Sequence, residues 1–146
     1  MRAVVQRVSR ARVIIDGRVT GEIGAGLVVL VAVGRADASA VMAEKIVNLR
    51  IFNDEQGKLN RSLIDIAGAV LAVSQFTLYG DARGGRRPSF IQAAAPEQGK
   101  ALYEEFLRAV AALNIRVETG VFQTHMSVEL TNDGPVTILL DSDKLF

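Results

Sequence analysis

Two apolar runs constrain the fold of this chain more than any other feature of its 146 residues. Residues 27–33 read Leu-Val-Val-Leu-Val-Ala-Val, and residues 69–73 read Ala-Val-Leu-Ala-Val. A strand with one solvent-exposed face alternates apolar and polar side chains, so unbroken apolar runs of this length are typical of strands buried on both faces. We extend the second strand to Tyr79, through the more polar residues 74–78. The chain is therefore expected to build a sheet with packing layers on both sides.

Shorter strand patterns surround these two runs. Partial alternation of β-branched residues predicts strands at residues 4–8 and 12–15. Asp16-Gly17 supplies the positive φ angles of a tight primed turn, which predicts a hairpin at residues 14–19. The glycine-rich segment 21–26 is expected to be a loop. Further strands are predicted at 50–52, 59–64, 116–118, 127–130 and 136–140.

Two segments carry helical periodicity. The first is capped by Asp37 or Ser39 and runs to about Leu49, and the second starts near Pro96, which suits a first helical turn. The apolar stripe of the second helix consists of Leu102, Phe106, Ala109 and Leu113. These patterns predict an α/β fold of β-rich layered sheets with two main helices, in a three-layer α/β/β arrangement. The length predicts a single domain over residues 1–146.

Composition excludes several classes of protein. The chain has no cysteine, which rules out disulfides, a thiolate nucleophile and cysteine-ligated metal sites. Its formal net charge is +1, so it lacks the excess of basic residues found in proteins that bind long nucleic acids through their phosphates. No secretory signal opens the sequence, and no apolar run is long enough to span a bilayer. We therefore expect a cytoplasmic protein with no membrane partner.

Metal and nucleotide cofactors are not expected either. His125 is the single histidine, and the carboxylates are scattered through turns without the spacing of a ligand set. The glycine-rich segments 21–26 and 80–85 match no phosphate-binding motif placed between a strand and a helix. Ser74 with His125 would make a candidate esterase pair, although no Gly-x-Ser-x-Gly elbow surrounds Ser74.

The run Ser74-Gln75-Phe76-Thr77-Leu78 places polar side chains inside an otherwise apolar strand. An unpaired buried polar group costs about 1–3 kcal/mol, so these side chains should line a cleft or bond main-chain groups at a strand end. Alternation sends Gln75 and Thr77 to one face of the strand and Ser74 and Phe76 to the other. Main-chain N–H groups beside the following glycine-rich loop would then be available to hold an oxyanion.

A second polar segment, Asn132-Asp133-Gly134-Pro135, separates two apolar strands. Asn and Asp bond their own backbone, Gly accepts positive φ, and Pro fixes φ and removes a donor. This composition predicts an exposed, stiff hairpin tip between two anchored strands. A plain turn would account for it.

A loop at residues 80–88 contains Arg83, Arg86 and Arg87. With Lys58 and Arg61 of an earlier loop, these residues could form a basic rim that contacts phosphates without reading sequence. A solvated loop explains the same charges.

The two polar segments resemble the two signature motifs of the D-aminoacyl-tRNA deacylase family, formerly called D-tyrosyl-tRNA deacylase. Residues 74–78 match one motif and residues 132–137 the other. The likeness extends along the chain in the family's order, through Gln6-Arg7-Val8, Gly21-Glu22-Ile23-Gly24, Leu49-Arg50-Ile51-Phe52, Gly57-Lys58, Arg87-Pro88-Ser89-Phe90 and Met126. One departure is Gln123-Thr124-His125, which stands where the family usually has small residues. It leaves the class of activity intact and bears on substrate preference.

The resemblance implies a homodimeric hydrolase that cleaves the ester of D-aminoacyl-tRNA, and of glycyl-tRNA, at the tRNA 3′ end. It implies that the Gly134-Pro135 peptide is cis and reaches into the pocket of the partner subunit. Rigid carbonyls facing the substrate α-carbon accept hydrogen there and exclude an L side chain, which discriminates better than a missing methylene. The 2′-hydroxyl of the terminal adenosine is implied in place of a side-chain base.

The same resemblance assigns roles to individual residues. The catalytic set is Ser74, Gln75, Phe76 and Thr77, and the substrate-binding set is Gly134, Pro135, Met126, Phe122 and Phe90. Main-chain groups around Phe76 and Thr77 hold the ester, and Thr77 positions it rather than attacking it, because no base stands nearby in sequence. Arg7 supports the Gly-Pro segment.

Two alternatives remain open from the sequence. A non-catalytic RNA-end-binding dimer module would keep the pocket without turnover. An esterase built on Ser74 and His125 would act on small molecules.

Overall fold

A computed structural model describes residues 1–34 and 39–146 of the chain. In this part the strands are β1 Arg2–Ile15, β2 Arg18–Ile23, β3 Gly26–Ala32, β4 Phe52–Asn53, β5 Leu59–Arg61, β6 Ala69–Ser74, β7 Arg116–Thr119 and β8 Ser127–Asp141. The helices are α1 Ser39–Val47, α2 Pro96–Ala112 and a 3₁₀ helix at Phe76–Tyr79. Asp37, one of the two predicted caps, lies outside the described residues. None of the described helices is long and apolar enough to cross a membrane.

The main sheet is mixed, and β1 organises it. Its strands follow the order β2-β1-β3-β6-β7, and β8 pairs with β1 as well. β1 is antiparallel to all three of its neighbours, whereas β3–β6 and β6–β7 are parallel pairs. Parallel neighbours need long crossover connections, and the segments that contain α1 and α2 supply them. β4 and β5 form a separate two-stranded sheet.

The alternation of β3 explains the layers. Leu27, Val29 and Val31 belong to an apolar cluster that also contains Ile46 of α1 and Phe106 of α2. The intervening Val28 points into a second cluster, formed on the other face of the sheet. That cluster contains Val8, Ala11 and Val13 of β1, Ile23 of β2, and Ala69, Leu71 and Val73 of β6. The two helices therefore pack on one face of this sheet, and strands of the same sheet enclose the second cluster on its other face, so the predicted α/β class, rich in β-structure with two main helices, is confirmed.

α2 begins at Pro96, as predicted, but its buried face is rotated from the predicted stripe. Its buried positions are Gly99, Tyr103, Phe106 and Val110, while the other predicted stripe residues pack against the core only in part. The Tyr103 hydroxyl donates a 3.0 Å hydrogen bond to the Ala72 carbonyl oxygen of β6. Burial raises the pKa of Tyr103 far above its ordinary value, so this donor stays protonated.

The first hairpin forms as predicted. Asp16 and Gly17 have φ angles of 49° and 74°, and Ile15 pairs with Arg18 across the turn. β1 itself is one strand of 14 residues rather than two shorter ones, because β8 supports it along nearly its whole length. Gly21 lies inside β2 rather than in a loop.

The prediction that one strand continues to Tyr79 is wrong. β6 ends at Ser74, and a 3₁₀ helix follows at Phe76–Tyr79. The polar residues mark the point where ladder pairing stops, so strand alternation does not govern the side chains after Ser74.

The predicted hairpin tip at residues 132–135 is also wrong. β8 runs through these residues as one strand of 15, and both of its halves pair with β1. The turn-forming residues make a bulge in a continuous strand instead of a reversal. Turn residues alone do not distinguish these two outcomes, since both need glycine and leave an N–H unpaired.

Candidate functional site

A cavity of about 790 Å³ opens where β6 ends. This volume is within the range of small-molecule sites in proteins. It is lined by Val33, Val73, Ser74, Gln75, Phe76, Phe90, Ala93, Ala94, Pro96, Gly99, Phe122, Gln123, Thr124, His125, Met126 and Val128. The strand end, the start of α2 and the segment before β8 thus converge on one pocket.

The 3₁₀ helix forms one wall of this pocket. The Gln75 amide continues the parallel ladder with a 2.8 Å hydrogen bond to the Val31 carbonyl oxygen, and the backbone then turns. Phe76 is 56% exposed and meets Phe90 edge-on, with ring centroids 5.1 Å apart. An aromatic pair with one exposed and one half-buried ring at the pocket wall offers apolar area to a ligand.

Main-chain donors stand at the start of this helix. The first N–H groups of a helix have no partner within it, and Gln75 makes no side-chain cap here. Among the described residues, the Phe76 and Thr77 N–H groups donate to no other group of the chain. Two adjacent N–H groups are thus free at the wall that Phe76 contributes.

Thr77 itself is placed differently from the other predicted catalytic residues. Ser74, Gln75 and Phe76 line the pocket, whereas Thr77 is exposed and is not among the described lining residues. The Gln75 side-chain amide donates a hydrogen bond to the Thr77 hydroxyl. This contact joins the two side chains at the start of the 3₁₀ helix.

The second signature segment forms the bulge in β8. Thr137 pairs with Gln6 and Asn132 pairs with Val8, so the four residues 133–136 lie opposite the single residue Arg7. The Gly134-Pro135 peptide within the bulge is cis, as the family resemblance implies. Both residues are exposed.

Arg7 holds this bulge from the inside. Its side chain is only 9% exposed, and its Nε donates a 2.9 Å hydrogen bond to the Asp133 carbonyl oxygen. Its Nη1 donates to the Ile51 carbonyl oxygen at 2.8 Å and to Asn53 Oδ1 at 3.2 Å. One guanidinium therefore ties the bulge to the segment around β4.

The side chain of Asn132, the residue before the bulge, bonds the residues at the end of the bulge. The Val136 amide donates a 3.1 Å hydrogen bond to Asn132 Oδ1, and Asn132 Nδ2 donates to the Thr137 hydroxyl at 3.2 Å. The side chain of Asn132 replaces the ladder bonds that a flat strand would make, which fixes the backbone on both sides of Gly134-Pro135.

The bulge and the pocket are separate within one chain. Gly134 and Pro135 are not among the described residues that line the pocket. The other predicted substrate-binding residues, Phe90, Phe122 and Met126, all line it. The structure thus brings together one set of predicted residues and displays the Gly-Pro peptide elsewhere on the surface.

His125 and Ser74 line the same pocket, together with Gln123 and Thr124. No hydrogen bond joins His125 to Ser74 within the described part of the chain. Gln123 adopts a left-handed φ of 56°, an uncommon conformation for a non-glycine residue. The segment that departs from the family pattern therefore shapes the pocket wall directly.

The arginine loop begins next to the pocket. Its base is closed by an isolated bridge between Asp81 and Ser89, with N–H···O distances of 2.8 and 2.9 Å. Arg83 donates to both carboxylate oxygens of Asp81, which holds the pKa of that carboxyl well below its usual value. Arg86 and Arg87 are exposed and form no ion pair with described residues. Their charge, unlike that of Arg83, is uncompensated.

No group of three or more potential metal-ligating side chains occurs among residues 1–34 and 39–146.

The sequence patterns did not identify Val33, Ala93, Ala94 and Gly99 as part of the pocket. These are small apolar residues with no chemical signal of their own, and an isolated bridge between Gly34 and Ala93 brings two of these segments together.

Comparison with solved structures identifies the fold. A c-Myc DNA unwinding element binding protein superposes with a TM-score of 0.91 at 40% identity, over 97% of this chain and 99% of that one. A probable eukaryotic D-amino acid tRNA deacylase superposes with a TM-score of 0.79 at 20% identity, over 95% and 97% of the two chains. The class of protein that this fold and pocket define is thus a compact α/β protein with the fold of a tRNA deacylase.

Sequence comparison gives the family. The model of the D-Tyr-tRNA(Tyr) deacylase family matches residues 4–141. A D-aminoacyl-tRNA deacylase of Symbiobacterium thermophilum is 62% identical over 100% of this chain and 99% of its own length. One of Koribacter versatilis is 61% identical over the whole of both chains. The chain belongs to the D-aminoacyl-tRNA deacylase family and is a hydrolase.

Proposed function

We propose that this protein hydrolyses the ester bond of D-aminoacyl-tRNA, releasing free tRNA and the D-amino acid. The observation that carries the proposal is the combination of two features. One is a pocket with Phe76 in its wall, where the main-chain N–H groups of Phe76 and Thr77 are free, and the other is an exposed Gly134-Pro135 peptide held by Arg7. Family membership supports the choice of substrate.

The chemistry needs no metal and no side-chain nucleophile. Water adds to the ester carbonyl carbon, negative charge develops on the carbonyl oxygen, and the 3′-oxygen of the tRNA leaves with a proton. The Phe76 and Thr77 N–H groups are the donors that would stabilise that oxygen. The 2′-hydroxyl of the terminal adenosine takes a proton from the attacking water as it gives its own proton to the leaving 3′-oxygen, so the step uses no carboxylate of the described pocket wall. Ser74 and Gln75 orient the ester between these groups.

Chirality is proposed to be read by the Gly134-Pro135 peptide of a second subunit. The bulge is exposed on one chain while the pocket lies elsewhere on it, so a homodimer would let each Gly-Pro peptide enter the partner's pocket. Its carbonyl groups then face the substrate α-carbon and leave room for hydrogen alone. Under this proposal an L side chain is rejected, whereas glycine, with two hydrogens, is accepted.

The first experiment is a deacylation assay with D-Tyr-tRNA, L-Tyr-tRNA and Gly-tRNA side by side, in buffer containing EDTA. Rapid loss of the D-ester and of Gly-tRNA, with L-Tyr-tRNA spared, is the expected result. Absence of turnover with all three esters would favour the RNA-end-binding module. Hydrolysis of L-Tyr-tRNA would refute the chirality filter while leaving the hydrolase. Cytoplasmic location stays a prediction, for which fractionation of the native cell is the test.

A second candidate is an esterase built on Ser74 and His125, because both residues line the same pocket. A His125→Ala variant separates the two proposals. Full activity on D-Tyr-tRNA supports catalysis by main-chain groups and the substrate's own hydroxyl. A loss of 10³-fold or more would assign His125 the role of general base, as removing a triad member does.

A further inference from the structure

Arg2 links the core of the protein to the pocket wall. Its Nη1 donates a 3.1 Å hydrogen bond to the Leu78 carbonyl oxygen, and its guanidinium carbon lies 4.5 Å from the centre of the Tyr79 ring. Leu78 and Tyr79 form the end of the 3₁₀ helix that begins with Phe76. The last carbonyls of a helix lack partners within it, so an outside donor at this point fixes the orientation of the turn.

A buried carboxylate holds Arg2 in place. Arg2 Nε lies 3.0 Å from Asp141 Oδ2, and the Asp141 side chain is 0% exposed. The other carboxylate oxygen accepts a 2.8 Å hydrogen bond from the Asp143 amide. Because both carboxylate oxygens are bound, the Asp141 side chain is fixed in one rotamer, and it holds the guanidinium of Arg2 in one orientation.

The same two strands carry a second arginine–carboxylate pair that lacks this connection. Arg2 pairs with Asp141 and Arg12 pairs with Glu129 in the β1–β8 register. The Arg12–Glu129 pair is 2.7 Å long, but its side chains are 47% and 54% exposed. Exposed pairs contribute little. The Arg2–Asp141 pair differs in two ways: its carboxylate is fully buried, and Nη1 of Arg2 also donates to the Leu78 carbonyl oxygen of the 3₁₀ helix.

We propose that Arg2 is a positioning residue for deacylation. It sets the 3₁₀ helix so that the main chain at Phe76 and Thr77 faces the bound ester. This proposal rests on the hydrolase function proposed above. It extends that function to a residue that does not line the pocket. Arg2 contacts the C-terminal end of the 3₁₀ helix, at Leu78, whereas the ester is held at its N-terminal end, at Phe76.

The test compares Arg2→Gln, Arg2→Lys and Arg12→Gln with the unmodified protein. Misplacing a reacting group by about 1 Å costs on the order of 10²-fold in rate. We expect Arg2→Gln to lower kcat on D-Tyr-tRNA by about 10–100-fold, with KM within about twofold, because the interaction acts in the transition state. Arg2→Lys should recover part of the loss, since an ammonium can reach Asp141 or Leu78 but lacks the fork for both. Arg12→Gln should match the unmodified protein.

An activity-independent measurement accompanies the kinetics. Amide hydrogen exchange at Leu78 and Gly80, whose N–H groups bond within the turn, should be at least tenfold faster in Arg2→Gln than in Arg12→Gln. Equal kcat and equal exchange in folded Arg2→Gln and Arg12→Gln would overturn the proposal. If Arg2→Gln does not fold, Arg2→Lys decides: unchanged exchange with unchanged kcat overturns the proposal, and a partial loss of both supports it. An unmodified protein inactive on every ester would refute the hydrolase function, while the exchange data would still test Arg2.

Discussion

The Nε of Arg7 donates a 2.9 Å hydrogen bond to the carbonyl oxygen of Asp133, the residue before the cis Gly134-Pro135 peptide. Arg7 is the one residue of β1 that faces the four-residue bulge of β8. An almost fully buried cation therefore supports the exposed bulge of the long strand.

Replacing Arg7 by Met should destabilise the fold. The Ile51 carbonyl oxygen, in a buried residue, would lose its donor, and such an unsatisfied group costs about 1–3 kcal/mol. We expect the free energy of unfolding in urea to fall by that amount. Arg12→Met is the matched control and should change it by less than about 1 kcal/mol, as exposed pairs do. Equal effects of the two variants would contradict the role of Arg7.

Gly134 should not tolerate a side chain. Its φ is +134°, and a Cβ there would lie 2.8 Å from Val136 Cγ2 and 3.0 Å from Arg7 Nη2. Strain of this kind costs about 1–3 kcal/mol. We expect Gly134→Ala, and more so Gly134→Val, to lose hydrolysis of D-Tyr-tRNA by tenfold or more. Gly24→Ala is the control, because a Cβ on Gly24 meets nothing within 4 Å. Full activity in Gly134→Val would rule out the filter.

The contribution of main-chain donors can be isolated at Phe76. Proline suits the first position of a helix and removes its N–H, and Gln75 before it is not helical, with φ −143° and ψ 73°. Phe76→Ala and Phe76→Pro both lose the ring, but only the second loses the donor. Loss of one oxyanion donor costs about 10²–10³ in kcat. We expect Phe76→Pro to be slower than Phe76→Ala by that factor in single-turnover deacylation.

Thr77→Ala should lower kcat less than Phe76→Pro does. It keeps the main-chain N–H and loses only the hydroxyl that Gln75 contacts. A hydrogen bond between neutral groups contributes about 0.5–1.5 kcal/mol, which corresponds to a loss of kcat of roughly tenfold at most. A loss on the order of 10⁶-fold in the same assay, as removal of a serine nucleophile causes, would instead indicate a threonine nucleophile.

Arg86 and Arg87 are expected to contact phosphates near the tRNA 3′ end, because their charges are unpaired and the loop base adjoins Phe90. The double variant Arg86→Gln/Arg87→Gln should raise KM for D-Tyr-tRNA and reduce its dependence on salt. Hydrolysis of a D-tyrosyl ester of adenosine, which has no phosphate, should be unaffected. Arg83→Gln is the control, since Asp81 already neutralises Arg83. An equal rise in KM for both substrates would argue against phosphate contacts.

Local patterns in the sequence predicted much of this protein. The unbroken apolar run that became β3 predicted a strand covered on both faces, because side-chain alternation is a property of the single strand. Asp16-Gly17 predicted its hairpin and Pro96 the start of α2, since φ preferences are local. The motif at residues 74–78 and the segment around Met126 led to residues that line one pocket.

The tertiary structure decided what local patterns leave open. Asn132 to Pro135 became a bulge rather than a hairpin, because β1 is long enough to pair with both halves of β8. The strand predicted to reach Tyr79 ended at Ser74, where the ladder with β3 stops at Val31. Pairing partners far away in the sequence set these limits, and no single segment carries information on the length of its partner. The residues themselves determined which groups are present, and the packing of distant strands determined which of them face the pocket.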